Sequence, residues 1–252
     1  MKIVGSIQAR MNSTRLPGKT LTMIAGRPLL AWQISRLRRS RLLDDIIVAT
    51  STSPDDDILE EFCDKNEVRC FRGSEHDVLG RIAGAIDTYE IETHVELYGD
   101  CPLIDPHIID ETIGFYLKQR PKYDCVCNTI KTTYPPGQEV VVHKGLALID
   151  VNNAVRHDDP LREHVGIHIT KNPVYSVFNL EAPNHYYYPE IYLEVDTAND
   201  LKVVSEIIHH FCDSGSEHFS LAEMIAYLRS RPDLTAINKA EKRRWKEFRD
   251  ES

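Results

Sequence analysis

Three cations sit close together near the start of the chain, Arg10, Arg15 and Lys19, set among Ser13, Thr14, Pro17 and Gly18. Guanidinium and ammonium groups neutralise phosphate charge, and hydroxyls and loop amides hydrogen-bond phosphate oxygens. The stretch from Gln8 and Ala9 to Thr20 therefore has the chemistry of a polyanion site, with a nucleoside triphosphate as its natural ligand. Two carboxylates far downstream, Asp100 and Asp196, each close a strand-like run. Either alone reads as a turn former or cap. Together with the cationic loop they read as a pair for a hard divalent ion, since Mg2+ is held by one or two carboxylates plus substrate phosphates.

These side chains need a scaffold that gathers them at one edge. The apolar run Ile3-Val4-Gly5-Ser6-Ile7 reads as a buried strand emptying into the cationic loop, and Ile46-Ile47-Val48-Ala49-Thr50 as a second, covered on both faces. Between them, Pro28 opens a helix with Leu29, Leu30, Trp32, Ile34 and Leu37 on its apolar stripe and arginines towards its end. Ser53 and Pro54 mark a helix start, which is also the plainest reading of the acidic triplet 55–57. Val68 to Phe71, His94 to Tyr98 and Tyr123 to Asn128 are further strands, alternating with helices over Val78–Tyr89 and Pro106–Lys118. In such α/β sheets ligands bind outside the carboxyl ends of the strands, where Gly99-Asp100-Cys101-Pro102 falls.

The alternation breaks over residues 129–188, an insertion-like part suited to an acceptor pocket or a dimer surface. It holds the turn Tyr134-Pro135-Pro136-Gly137, strands over Gln138–His143 and Tyr175–Leu180, and a helix over Gly145–Val155. Arg162-Glu163-His164 reads either as part of a sugar-acid pocket or as a charged helix start, with His164 either a ligand contact or a structural histidine. Tyr192 to Asp196 returns as a strand and Thr197-Ala198-Asn199-Asp200 resembles a capping box ahead of a helix. A last apolar helix spans Leu221–Leu228, and residues 236–252 form a charged tail around Trp245 and Phe248.

Composition narrows the function. The 252 residues suit one large α/β domain, and 30 Lys+Arg against 39 Asp+Glu give a net charge of -9, which disfavours nucleic-acid and anionic-membrane partners. The six cysteines lack metal-site spacing, no stretch approaches a membrane span, and the N-terminal pattern is not a signal peptide, so the expected location is the cytoplasm. Ser13 to Thr20 nearly matches the P-loop pattern, but Ser13 replaces its first glycine, and Gly26 and Pro28 interrupt the helix that should follow. A dinucleotide fingerprint is absent.

Gln8-Ala9-Arg10-Met11 with Ser13-Thr14-Arg15-Leu16-Pro17-Gly18-Lys19 resembles the signature loop of the sugar-acid cytidylyltransferases, the family of CMP-Kdo and CMP-sialic acid synthetases. Within it the chain is most similar to the spore-coat polysaccharide biosynthesis protein F-like branch. The resemblance continues through Arg72-Gly73-Ser74-Glu75, Asp77-Val78-Leu79, Gly99 to Pro106, Tyr134 to Gly137, Arg162 to Val165 and Val195-Asp196-Thr197. It implies a Rossmann-like, GT-A-like three-layer α/β fold with a mostly parallel central sheet. It also implies a Mg2+-dependent transfer of CMP from CTP to a Kdo-like or nonulosonic acid by a homodimer, for surface polysaccharide synthesis. On this resemblance Arg10, Lys19, Asp100 and Asp196 are catalytic, and Asp100 and Asp196 hold the metal. Gln8, Ala9, Arg10, Ser13, Thr14, Arg15, Gly18, Lys19, Arg72 and Ser74 bind the nucleotide, Ala9 and Arg72 at its base. Tyr134, Gln138, Glu139, Arg162 and His164 bind the acceptor. Gly80 replaces an aspartate common in relatives, and Gln138-Glu139 replaces a more usual Leu-Asp pair; both bear on the acceptor. Three alternatives stay open: a GTP-using guanylyltransferase, a GT-A-like glycosyltransferase and a non-catalytic nucleotide-binding homologue. The glycosyltransferase normally needs a second acid beside Asp100, and the non-catalytic homologue would have lost cations or carboxylates that are present here.

Overall fold

The computed structural model describes residues 2–247. β1 (Ile3–Gln8) is followed, after the cationic loop, by a two-residue hairpin of β2 (Met23–Ile24) and β3 (Arg27–Pro28) and then α1 (Leu29–Leu37). Regular alternation continues with β4 (Asp45–Ser51), α2 (Asp57–Lys65), β5 (Arg69–Gly73), α3 (Val78–Thr88), β6 (Thr93–Tyr98), α4 (Pro106–Gln119) and β7 (Cys125–Cys127). β8 (Val141–Lys144), α5 (Gly145–Ala154), α6 (Ile167–Thr170) and β9 (Val177–Asn179) follow, and α7 (Ala198–Asp213), α8 (Leu221–Ser230) and α9 (Pro232–Asn238) complete the order.

The main sheet runs β5-β4-β1-β6-β8-β7-β9. β1 pairs in parallel with β4 on one side and β6 on the other, and β8 alone of these strands is antiparallel to its neighbours. Side-chain alternation explains why both faces are covered. Ile3, Ile7, Ile46 and Val48 join one apolar cluster with Trp32, Leu30, Ile113 and Val204 from helices. Val4, Ile47 and Ala49, one register away, join a second with Leu79, Ile82 and Leu148. The result is helix, sheet and helix in three layers, an α/β architecture with a mostly parallel central sheet.

Several expectations change. Tyr192 to Asp196 forms no ladder, because its amides serve two turns instead: Leu193 N–H donates to Pro136 O and Val195 N–H to Asp100 O, both at 2.7 Å. The hairpin at 23–28, turning through Ala25 and Gly26 at φ 46° and 78°, was not foreseen. Segment 129–188 is woven into the sheet, since its β8 lies between β6 and β7. The expected tail begins inside α9, and Phe248 lies outside the described residues. Ser53 makes no side-chain cap bond; Asp56 of the acidic triplet is buried and accepts from the Met11 N–H at 2.7 Å, tying the cationic loop to β4 and α2.

Candidate active site

The chain leaves β1 towards β4 and later returns on its other side as β6, so a crevice opens at the carboxyl ends of β1 and β6. Gly99 seals its floor: its N–H donates to Gln8 O at 3.0 Å, and a Cβ there would run into that carbonyl. Above it lies a cleft of about 760 Å³ lined by the cationic loop, the end of β6, the segment 194–196 and residues 160–171.

Gly18 shapes the loop. It sits at φ 75°, a left-handed conformation that favours glycine, and donates to Met11 O at 2.9 Å. The next residue is thereby aimed across the crevice. Lys19 Nζ donates to Val195 O at 2.6 Å and to Asp196 Oδ1 at 2.9 Å, and stands 3.8 Å from Asp100 Oδ2. Arg15 closes on the other oxygen of Asp196 at 2.5 Å, and Arg10 pairs with Glu163 at 3.3 Å. Burial by itself would lower the Lys19 pKa, but Asp100 and Asp196 outweigh it and raise it, keeping the ammonium charged. Burial raises the Asp100 carboxyl against the pull of Lys19, and Asp196 adds to the rise. Burial, with Glu139 and Asp100 nearby, pushes Glu194 up to about 8.

The donor set fits Mg2+. A cation, the Lys19 ammonium, already lies against both carboxylates, 2.9 Å from Asp196 and 3.8 Å from Asp100. Two carboxylates completed by phosphate and water oxygens are a usual Mg2+ environment.

Gln8, Ala9, Arg10, Ser13, Thr14, Arg15, Lys19, Asp100, Glu139, His164 and Asp196 all line the cleft. Gly18 is not among the lining residues and acts through the loop backbone. Other expected contacts sit elsewhere. Arg72 pairs with Asp57 at 2.6 Å and Glu60 at 2.7 Å, and Ser74 Oγ accepts from the Asp77 N–H. Tyr134 is buried with its hydroxyl 3.4 Å from Glu111, and buried Gln138 bridges Asp105 N–H and Leu103 O at 2.8 and 3.0 Å. Arg162, 1% exposed, forks onto both oxygens of Asp77 at 2.9 and 2.8 Å. A guanidinium surrounded by acceptors is more stable paired in the fold than aimed at a cleft. Glu96, Arg81, Glu194 and Trp245, none of them assigned to the site from sequence, also line the cleft. Glu96 was readable, because strand alternation puts it on the same face as Tyr98.

Residues 4–239 match the family model for cytidylyltransferases. The chain belongs to the cytidylyltransferase family. This cytidylyltransferase is similar to the spore coat polysaccharide biosynthesis protein SpsF of Bacillus subtilis, 33% identical over 240 residues that cover 93% of this chain and 97% of the relative. It is also similar to a 3-deoxy-manno-octulosonate cytidylyltransferase of Bdellovibrio bacteriovorus, 35% identical over 126 residues, about half of each chain at 49%. Among solved structures, a cytidylyltransferase from Leptospira borgpetersenii superposes with a TM-score of 0.86 at 30% identity, covering 96% of this chain and 99% of that one. A CMP:2-keto-3-deoxy-manno-octonic acid synthetase complexed with CTP shares the fold, with a TM-score of 0.63 at 16% identity, covering 83% of this chain and 99% of that one. Among the described residues no helix is long and apolar enough to cross a membrane.

Proposed function

We propose that this cytidylyltransferase transfers CMP from CTP to a Kdo-like or nonulosonic sugar acid, releasing pyrophosphate, for surface polysaccharide synthesis in the cytoplasm. The observation that carries the reading is Lys19 held between Asp196 and Asp100 at the mouth of the β1/β6 crevice, with Arg15 on the same aspartate. Cations needed by a triphosphate and carboxylates needed by a metal converge there from three distant parts of the chain. We further assign a homodimer, in keeping with the sugar-acid resemblance.

Asp100 and Asp196 are the residues that would hold Mg2+, which supplies charge neutralisation at phosphate oxygens. Arg10, Arg15 and Lys19 bind the triphosphate and stabilise the charge that develops on the departing pyrophosphate. With nucleotide present, Arg15 and Lys19 exchange part of their contact with Asp196 for phosphate oxygens, freeing that carboxylate. Glu139 and His164, which line the same cleft, orient the acceptor hydroxyl for in-line attack on the α-phosphorus. Positioning and charge neutralisation carry the acceleration, with no covalent enzyme intermediate.

The test is a pyrophosphate-release screen of four nucleoside triphosphates against a panel of sugar acids and sugar phosphates with Mg2+. Release with CTP and a sugar acid is expected. Release only with GTP would replace the base assignment, and sugar transfer from a nucleotide sugar without pyrophosphate would replace the reaction.

A further inference from the structure

The family match ends at residue 239, yet the chain beyond it is seated on the catalytic edge. Arg243 is its anchor. Buried to 5% exposure, it donates from Nη2 to Asp200 Oδ1 at 2.8 Å and to Asn238 O at 3.0 Å. Its Nη1 lies 3.2 Å from Glu194 Oε1, and its guanidinium stacks 4.2 Å from the Tyr192 ring. Lys242 O accepts from Arg15 at 3.2 Å, so the segment also touches the cationic loop. Trp245, on a short 3-10 turn over Arg244–Glu247, donates from Nε1 to both oxygens of Glu194 at 2.9 and 3.1 Å and lines the cleft.

The indole N–H is tied to a carboxylate and the Lys246 ammonium stands 5.4 Å from the ring centroid; the part of the ring that lines the cleft gives an entering group an apolar surface to pack on. The neighbouring lining groups, Glu194 and Glu139, carry carboxyl groups that hydrogen-bond hydroxyls, and neither brings a cation to a phosphate. An apolar ring surface flanked by carboxylates suits a carbohydrate ring, with its C–H faces and equatorial hydroxyls, and not a triphosphate. Position agrees. The phosphate-binding loop leaves β1, whereas Glu139 leads into β8, on the other side of β6.

We propose that Trp245 is an acceptor-contact residue. The C-terminal segment closes the cleft on the side of Glu139 and Glu194, and the acceptor sugar packs on the indole with its hydroxyls directed to those carboxylates. This rests on the transferase reading given above.

The probes are the sugar acids of the pyrophosphate screen, 3-deoxy-manno-octulosonate among them, with Trp245→Ala, Trp245→Leu and Trp245→Phe compared with wild type. Loss of the ring in Trp245→Ala is expected to raise the acceptor KM about ten-fold while the CTP KM stays within about two-fold. Trp245→Phe, which keeps an aromatic surface, should stay near wild type on both. Trp245→Leu keeps apolar volume against the segment and carries the comparison should Trp245→Ala melt early. An unchanged acceptor KM, or a CTP KM that rises equally, in an active and folded variant overturns the Trp245 assignment alone. Wild-type enzyme inactive on every pair of substrates overturns the transferase reading, and this assignment falls with it.

Discussion

Lys19 and Asp196 illustrate how much of this site depends on single atoms. The ammonium touches Asp196 at 2.9 Å and Val195 O at 2.6 Å, so it orders that carboxylate, and in the proposed reaction it also contacts a phosphate. Lys19→Ala is expected to lower kcat/KM by about 10²–10³, the usual consequence of removing one preorganised charge contact, read in a pyrophosphate assay. Arg162 is the opposite case. Charge and motif mark it for the acceptor, but its guanidinium is buried against Asp77 and Asn152. Arg162→Ala should therefore destabilise the fold by about 2–4 kcal/mol, because it strands a partly buried carboxylate; denaturant unfolding measures this. A sequence displays the residue type, whereas the partner that claims it comes from a distant element: Asp77 is set by the start of α3.

At the scale of elements, the site hangs on helix and strand ends. Thr197 and Asp200 cap α7 reciprocally, and Asp200 Oδ2 also accepts from the Asp196 N–H at 3.1 Å, so one carboxylate starts the helix and fixes the proposed metal ligand. Thr197→Ala should cost about 1 kcal/mol in thermal or denaturant unfolding. The same variant should lower kcat more than it raises the CTP KM. That capping box was legible, because its residue types occur at the right spacing before an apolar helix. The strands β1, β4 and β6 were legible too, from continuous or alternating apolar runs. The run 192–196 misled because its apolar alternation is that of a strand, while its amides are taken by Pro136 and Asp100 from other turns. Trp245 was illegible as a site residue: no local pattern says that Arg243 will bury itself on Asp200 and carry the indole to the cleft.

Across the whole molecule, the three-layer sheet buries groups that tie stability to pH. His94 lies in the core with Ser6 Oγ 2.6 Å from its Nε2; burial first, then neighbouring His143, hold its pKa well below the usual 6.5. The folded protein keeps this ring neutral while the unfolded chain protonates near 6.5. Stability is therefore full above that pH and falls as pH drops below it, by about 1.4 kcal/mol per unit from this one group. His94→Gln should flatten that slope in melting temperatures recorded from pH 7.5 to 5. Fold class was readable from β-α alternation, whereas the antiparallel β8 between β6 and β7 was not, since strand order depends on long-range pairing. One assay decides whether the loop cations and the two distant aspartates form a single CTP-dependent transfer site. Pyrophosphate release from CTP with Mg2+ and a sugar-acid panel is measured for wild type, Lys19→Ala and Asp100→Ala under identical conditions. The wild type is expected to release pyrophosphate and both variants to lose it almost completely; release that survives both substitutions rules the shared site out.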